Sequence, residues 1–360
     1  MLGTEKQFVI GACPMGRIST ILNIPVPKTT NRRGSLRLLA ALAVCSILSS
    51  AHSQLVPGTM DVHWNIGSND CAKDSQPAIQ VHQYNPQTFI LRENLCATYE
   101  APFIYLLVGR NRALLIDTGA VADAKTMPLA QKVISLLPGG EPRLPLLVVH
   151  THGHRDHRSG DEQFRSLPNL ELVATDLESV KSHLGIADWP NGIGQIDLGD
   201  RVIDVIPTPG HHRAHVAYYD RQTGLFFSGD FLLPGRLLIE DSDADLASAR
   251  RVVAFIADRP ISHVLGAHVE LSESGDVFWG STYHPHERPL QMTKEDLIAL
   301  PEIVNGFNGF YSQRGVYVLM NQNRILGLLG VGALVLLGTV VLLVRALWRW
   351  LRRSAPGNLS

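Results

Sequence analysis

Hydrophobic and polar positions divide the 360-residue chain into two almost purely apolar segments and a long mixed stretch between them. Residues 36–48 are apolar apart from Arg37, Cys45 and Ser46; Arg32 and Arg33 precede them, and Ser49, Ser50, Ala51 and Ser53 follow. A basic region, an apolar run and a small-residue site in that order read as an export signal, too short for a bilayer core of ~30 Å. Residues 325–344 carry no charge, which matches the ~20 residues of a transmembrane helix and leaves no polar face for a soluble one. Arg345, Arg349, Arg352 and Arg353 follow, with Trp348 and Trp350 as interfacial anchors. An excess of Arg belongs in the cytoplasm, so the tail 345–360 is expected there and everything before residue 325 on the extracytoplasmic side.

Between the two ends, short apolar runs alternate with helical stretches. Residues 103–108 and 113–116 flank Gly109-Arg110-Asn111-Arg112 and read as a hairpin. Residues 126–137 read as a helix stopped by Pro138-Gly139-Gly140. Further strands are expected at 146–149, 171–174, 202–206, 217–219, 225–228 and 263–265. Helices are expected at 161–167, 176–183 and 245–257, and Thr293 caps another running toward Val304. Paired strands with interspersed helices suggest α/β sheets covered by helices, not a doubly wound parallel sheet. The organisation is thus a signal (1–53), a lead-in region (54–101) that is turn-rich and irregular over 54–76, a catalytic domain (102–323), a membrane helix (325–344) and a basic tail (345–360).

With a net charge of −1, nothing argues for nucleic acid or an acidic surface as partner. Cys71 and Cys96 remain after export, and a single pair in an oxidising compartment favours a disulfide, two buried thiols being the alternative.

Candidate chemistry follows the ends of the apolar runs. His150-Thr-His152-Gly-His154-Arg-Asp156-His157 comes directly after the strand at 146–149 and offers nitrogen and oxygen donors of the kind Zn²⁺ or iron prefers. Thr208-Pro-Gly-His211-His212-Arg213-Ala-His215, Ser228-Gly-Asp230, Gly266-Ala-His268 and Leu115-Ile-Asp117-Thr-Gly119 each close another run. Together they would line one rim of a sheet core, where function is usually built. Tyr283, His284 and His286 lie just beyond, as candidates to border a pocket. His63, His82, His150, His183 and His263 read as ordinary polar or core residues.

The run His152-Gly-His154-Arg-Asp156-His157 matches the H-x-H-x-D-H signature of the metallo-β-lactamase superfamily, and the other four stretches fall in that family's order. The chain resembles that family, glyoxalase II-like and lactonase-like members most, over roughly residues 102–270. The resemblance implies a four-layer αβ/βα sandwich holding two divalent metal ions, zinc foremost, with iron or manganese as alternatives. It implies His152, His154 and His215 around one ion, Asp156, His157 and His268 around the other, and Asp230 bridging them. It further implies Asp117 as the group orienting a ligand imidazole, with Asp156 and Asp230 as the catalytic carboxylates.

Two cations a few ångströms apart make hydroxide available from a bridging water near neutral pH and polarise a carbonyl oxygen. The expected function is a membrane-anchored, exported, metal-dependent hydrolase acting on a small ester, lactone or thioester. Alternatives are a β-lactamase-type amide hydrolase, which in this family generally lacks the bridging aspartate, and a phosphodiesterase. Only Arg155, Arg158 and Arg213 lie near the motifs, too few for a phosphate clamp. A metal-binding sensor without catalysis is the reading from another class, against which the complete ligand set speaks.

Overall fold

The computed structural model describes residues 54–139 and 143–354. The expected export signal at 1–53 lies outside the described residues. Within them, β1 (Ile79–Asn85), β2 (Thr88–Glu93), β3 (Phe103–Val108), β4 (Ala113–Ile116), β5 (Leu146–Val149) and β6 (Leu170–Leu172) form a six-stranded sheet in sequence order. β1 to β4 are antiparallel neighbours, whereas β4, β5 and β6 run parallel. The second sheet contains β7 (Gly194–Asp197), β8 (Val202–Pro207), β9 (Val216–Asp220), β10 (Leu225–Gly229), β12 (His263–Gly266) and β13 (Gln291–Met292), in the order β13-β12-β10-β9-β8-β7. β11 (Arg236–Leu238), β14 (Tyr311–Arg314) and β15 (Tyr317–Met320) make a small third sheet ordered β11-β15-β14.

The helices are α1 (Leu129–Leu136), α2 (Arg155–Arg158), α3 (Leu177–His183), α4 (Ser242–Ile256), α5 (Lys294–Asn305) and α6 (Gln322–Ser354). α3, α4 and α5 start on side chains that accept from their free N–H groups, Asp176, Asp241 and Thr293 respectively. Thr293 and Asp296 complete a reciprocal capping box.

Strand alternation builds the layers. Tyr105, Leu107, Leu114, Ile116, Leu147 and Val149 point from the first sheet into a core shared with Ile203, Val205, Tyr218 and Phe227 of the second. Their neighbours Ile104, Leu106, Leu115 and Val148 face the opposite way, under Leu129 and Val133 of α1. On the far side, Ile206, Ala217, Phe226 and Val264 pack against Val252 and Ile256 of α4 and Leu297 and Leu300 of α5. Successive side chains on opposite faces thus give helix, sheet, sheet, helices: the expected four-layer sandwich. Because β3, β4 and β5 are buried on both faces, they read as unbroken apolar runs.

β7, β11 and β13 to β15 are not among the expected strands, the helix expected at 126–137 is confined to Leu129–Leu136, and two larger assignments change. The lead-in is not a separate region, because β1 and β2 extend the first sheet and pair with β3. The mixed pattern of β1, with Gln80, His82 and Gln83 between apolar residues, hid a half-covered edge strand. The helix expected at 161–167 is a 3₁₀ turn, Ser159–Gln163, following the single turn of α2. Cys71 and Cys96 are joined by a disulfide, tying the lead-in to the loop after β2. α6 is long and apolar enough to cross a membrane, and none of its apolar window is buried.

Candidate metal centre

β5 ends at Val149, and the chain turns through His150–His154 into α2. Asp117, immediately after β4, adopts φ +68°, a left-handed conformation uncommon outside glycine. There its carboxylate accepts from Thr151 N at 2.7 Å, from Thr151 Oγ1 at 3.0 Å, and from His157 Nδ1 at 2.9 Å. With Nδ1 of His157 committed as donor, its Nε2 is a lone pair aimed the other way. The Thr151 hydroxyl, donating to Asp117, accepts from His152 Nδ1 at 3.1 Å, which leaves His152 Nε2 free in the same sense. One buried aspartate therefore sets both tautomers.

Three further loops close on this corner. His211 lies at the tip of the β8–β9 connection, with Nδ1 donating to the Leu238 carbonyl at 2.7 Å. Nδ1 of His268, after β12, donates to the Glu100 carbonyl at 2.8 Å. Asp230 follows β10 and Gly229, whose φ is +54°. A Cβ on Gly229 would stand 2.7 Å from Thr151 Cβ and 2.9 Å from His215 Nε2, so only glycine lets the three loops meet.

The donors fall into two groups. His152 Nε2, His154 Nδ1 and His211 Nε2 are mutually 2.9–3.1 Å apart. Asp156, His157, Asp230 and His268 form the second group. Asp230 lies between them: Oδ2 is 3.5 Å from His211 Nε2 and 4.0 Å from His152 Nε2, while Oδ1 is 3.5 Å from His157 Nε2 and 3.7 Å from His268 Nε2.

His215 is not in either group. Its Nε2 accepts from Asp230 N at 3.2 Å, so the ring proton is on Nδ1 and is donated to Thr208 Oγ1 at 2.7 Å. Both nitrogens are used, and the ring acts as a prop beneath Asp230. Sheet register is the reason. Pro207 pairs with Val216, and Thr208 N donates to the His215 carbonyl, so His215 belongs to the ladder while His211 reaches past the sheet edge. The place of His211 at the tip, directly after Pro209-Gly210, was the signal available in the sequence.

Electrostatics divide the centre in the same way. Burial, reinforced by neighbouring imidazoles, holds His152 well below the ordinary histidine pKa, and burial likewise lowers His154 and His215. Burial also opposes protonation of His157 and His268, but Asp230 and Asp156 outweigh it, raising His157 strongly and His268 to about 9, so that without an ion a proton takes the Nε2 lone pair that each ring would otherwise offer a cation. Despite burial, the same partnerships hold Asp156 and Asp230 below the usual carboxylate range.

These residues fit a pair of cations. His157 Nε2, Asp230 Oδ1 and His268 Nε2 are buried without a hydrogen-bond partner, an arrangement costly unless something electropositive meets them. In the first group, outward-donating Nδ1 atoms leave the lone pairs of His152 and His211 facing each other, which a cation between them would reverse from repulsion to attraction. Imidazole nitrogen and carboxylate oxygen are donors suited to zinc, iron or manganese.

Other expected residues have different surroundings. His150 Nε2 pairs with Asp161 at 2.9 Å, and Arg158 donates to the Gly153 carbonyl. His284 is held by Glu287 and the Ser281 carbonyl, and Glu287 makes a buried ion pair with Arg92 at 2.6 Å. His286 borders a groove with His63 and Trp64, whose lining includes none of the metal donors. His212 stands over the first group, its ring centroid 5.2 Å from that of His154, and burial lowers it to about 4.

Residues 98–268 match the family model described as the metallo-beta-lactamase superfamily. A hydroxyacylglutathione hydrolase from Methylobacillus flagellatus is 30% identical over 207 residues, 56% of this chain and 75% of that protein. The chain belongs to the metallo-beta-lactamase superfamily. The acyl-coenzyme A thioesterase MBLAC2 of Gallus gallus is 25% identical over 51% of this chain and 78% of its own length. The hydroxyacylglutathione hydrolase of Aeromonas hydrophila is 30% identical over 43% of this chain, which spans only 58% of that relative. As a member of the superfamily the chain is a hydrolase, and its His/Asp donors suit the two metal ions typical of the family.

Proposed function

We propose that this protein is a binuclear metal-dependent hydrolase of thioesters or small carboxylic esters and lactones. In this reading α6 anchors it in the membrane and the catalytic domain stands on the extracytoplasmic side. The observation that carries the chemistry is Asp230, one carboxylate oxygen directed at each donor group. His152, His154 and His211 would hold one cation, and Asp156, His157 and His268 the other, with Asp230 shared. This departs from the sequence-based assignment at His215 alone. Two such cations supply a nucleophile from water near neutral pH and polarise the scissile carbonyl.

The protein's own contribution is preorganisation. Asp117 fixes the His157 ring, the Leu238 and Glu100 carbonyls fix His211 and His268, and His215 fixes the Asp230 backbone. Asp156, the most open of the second group, is placed to orient a water or accept its proton. Thioesters lead because two relatives matched over 78% and 75% of their own lengths are named as an acyl-coenzyme A thioesterase and a hydroxyacylglutathione hydrolase. The Arg cluster after residue 344 supports the topology.

Asp230→Ala removes the shared ligand. Turnover of a thioester panel is expected to vanish while the melting profile of the metal-free protein remains cooperative. A fully active Asp230→Ala protein would sink the mechanism. A preference for a chromogenic β-lactam over every ester and thioester by more than about a hundredfold, or ~2.7 kcal/mol, would overturn the substrate class alone.

A further inference from the structure

The strand leading into α6 is bonded to the wall of the metal centre. β15 ends at Met320, two residues before α6 begins. Met320 pairs in register with Leu238 of β11, whose carbonyl accepts the Nδ1 proton of His211. The chain beyond β11 is fastened on both sides. Ile239 N donates to the Met320 carbonyl at 2.9 Å, and Asn321 Nδ2 donates to the Glu240 carbonyl at 3.1 Å. Glu240 N and Asp241 N both donate to the Gly210 carbonyl, next to His211, at 3.0 and 2.9 Å. A single strand and its continuation thus separate the base of the apolar helix from the loop bearing a candidate ligand. One strand spacing, one hydrogen bond and the polar first turn of α6 put the His211 ring about 10–15 Å from the start of the apolar segment.

The surface at that base suits a lipid interface. Phe310, Tyr311 and Val316, on and around the β14–β15 hairpin, are 41%, 45% and 43% exposed. Arg314 and Arg324 lie among them, donating to the carbonyls of Gly306 and Gly309. Aromatic rings mixed with arginine are the composition of a membrane–water boundary. Arg236, at the start of β11, stacks 5.1 Å from the exposed ring of Trp279. Tyr99, half exposed, adjoins Glu100, whose carbonyl holds His268. Aromatic groups therefore stand both at the helix base and beside the second donor group.

We propose that the centre works at the bilayer surface on a long-chain acyl thioester or ester whose acyl chain stays in the lipid. This rests on the readings of α6 as an anchor and of the centre as an ester- or thioester-cleaving hydrolase. An acyl chain spans about half of the ~30 Å hydrocarbon core, so its carbonyl lies at headgroup level, within a short rise of a centre held this close. Confinement to one membrane raises the effective concentration of such a substrate without any added contact. Water adds to the carbonyl carbon, the C–S or C–O bond breaks, and a carboxylate, a thiol or alcohol and one proton are released.

The test uses full-length, metal-loaded protein in phosphatidylcholine vesicles, with vesicle flotation to verify insertion. A water-soluble acetyl thioester and a non-exchanging palmitoyl thioester serve as probes, the latter in the same vesicles as the protein or in separate ones. The expected result is cleavage of the palmitoyl probe at least tenfold faster in the shared bilayer, with the acetyl probe cleaved equally in both arrangements. Equal palmitoyl rates, with the acetyl probe cleaved, overturn this inference and leave the hydrolase reading intact. If neither probe is cleaved, and the matching acetyl and palmitoyl aryl esters are not cleaved either, the hydrolase reading fails and takes the inference with it. Protein that does not float removes the anchor, and the inference again falls.

Discussion

Replacing His211 and His215 one at a time separates the ligand from the prop. His211→Ala removes one of three nitrogens lying within 3.1 Å of one another, while its Nδ1 partner, the Leu238 carbonyl, sits near the edge of the centre. Losing one cation forfeits several kcal/mol of transition-state stabilisation, and ~4 kcal/mol corresponds to roughly a thousandfold in kcat/KM. His215→Ala acts otherwise: it strips partners from Asp230 N and Thr208 Oγ1, both in the buried floor. Leaving such groups unpaired costs about 1–3 kcal/mol each in stability. A supporting group of this kind usually changes metal affinity by about 10–100-fold, or ~1.4–2.7 kcal/mol. Metal per chain is measured by mass spectrometry at saturating zinc, beside kcat/KM and the melting temperature. His211→Ala should lose one ion and most activity, whereas His215→Ala should keep both at saturation and melt earlier. One ion in His215→Ala with two in His211→Ala would refute the assignment.

Other consequences are open to direct measurement. Changing Cys71 and Cys96 together to Ser opens a loop of 25 residues, expected to cost about 3 kcal/mol in denaturant unfolding with metal content unchanged; an unaltered midpoint would remove the constraint. Asp245 is raised to about 8, first by burial and then by Asp241. Neutral when folded and ionised when unfolded, it contributes stability present below the ordinary aspartate pKa and lost as pH rises toward 8, by ~1.4 kcal/mol per unit. Asp245→Asn should therefore gain on the parent protein from pH 5 to 8 in thermal melts, and parallel pH profiles would contradict that charge state. Protease added to cells with a permeabilised outer layer should digest the catalytic domain and spare the tail after residue 344; the reverse pattern inverts the topology.

Sequence alone determined the strands buried on both faces, since β3, β4 and β5 have no polar side to disguise them. It also determined the uncharged C-terminal helix and the donors clustered after strand ends, because loops at one sheet edge collect polar residues that a core would reject. A local signal sufficed for Thr293, whose side chain bonds the N–H group three residues away. The lead-in strands were hidden because β1 alternates at a sheet edge, and its partner is identified only once β3 stands beside β2. The choice between His211 and His215 was likewise tertiary. Both imidazoles lie in one connection, four residues apart, and both are buried. Pairing of Pro207 with Val216 drew His215 into the ladder under Asp230 and sent His211 out toward His152 and His154. A one-dimensional motif records which donors are present, but the register of two strands decides which nitrogen is left with a free lone pair.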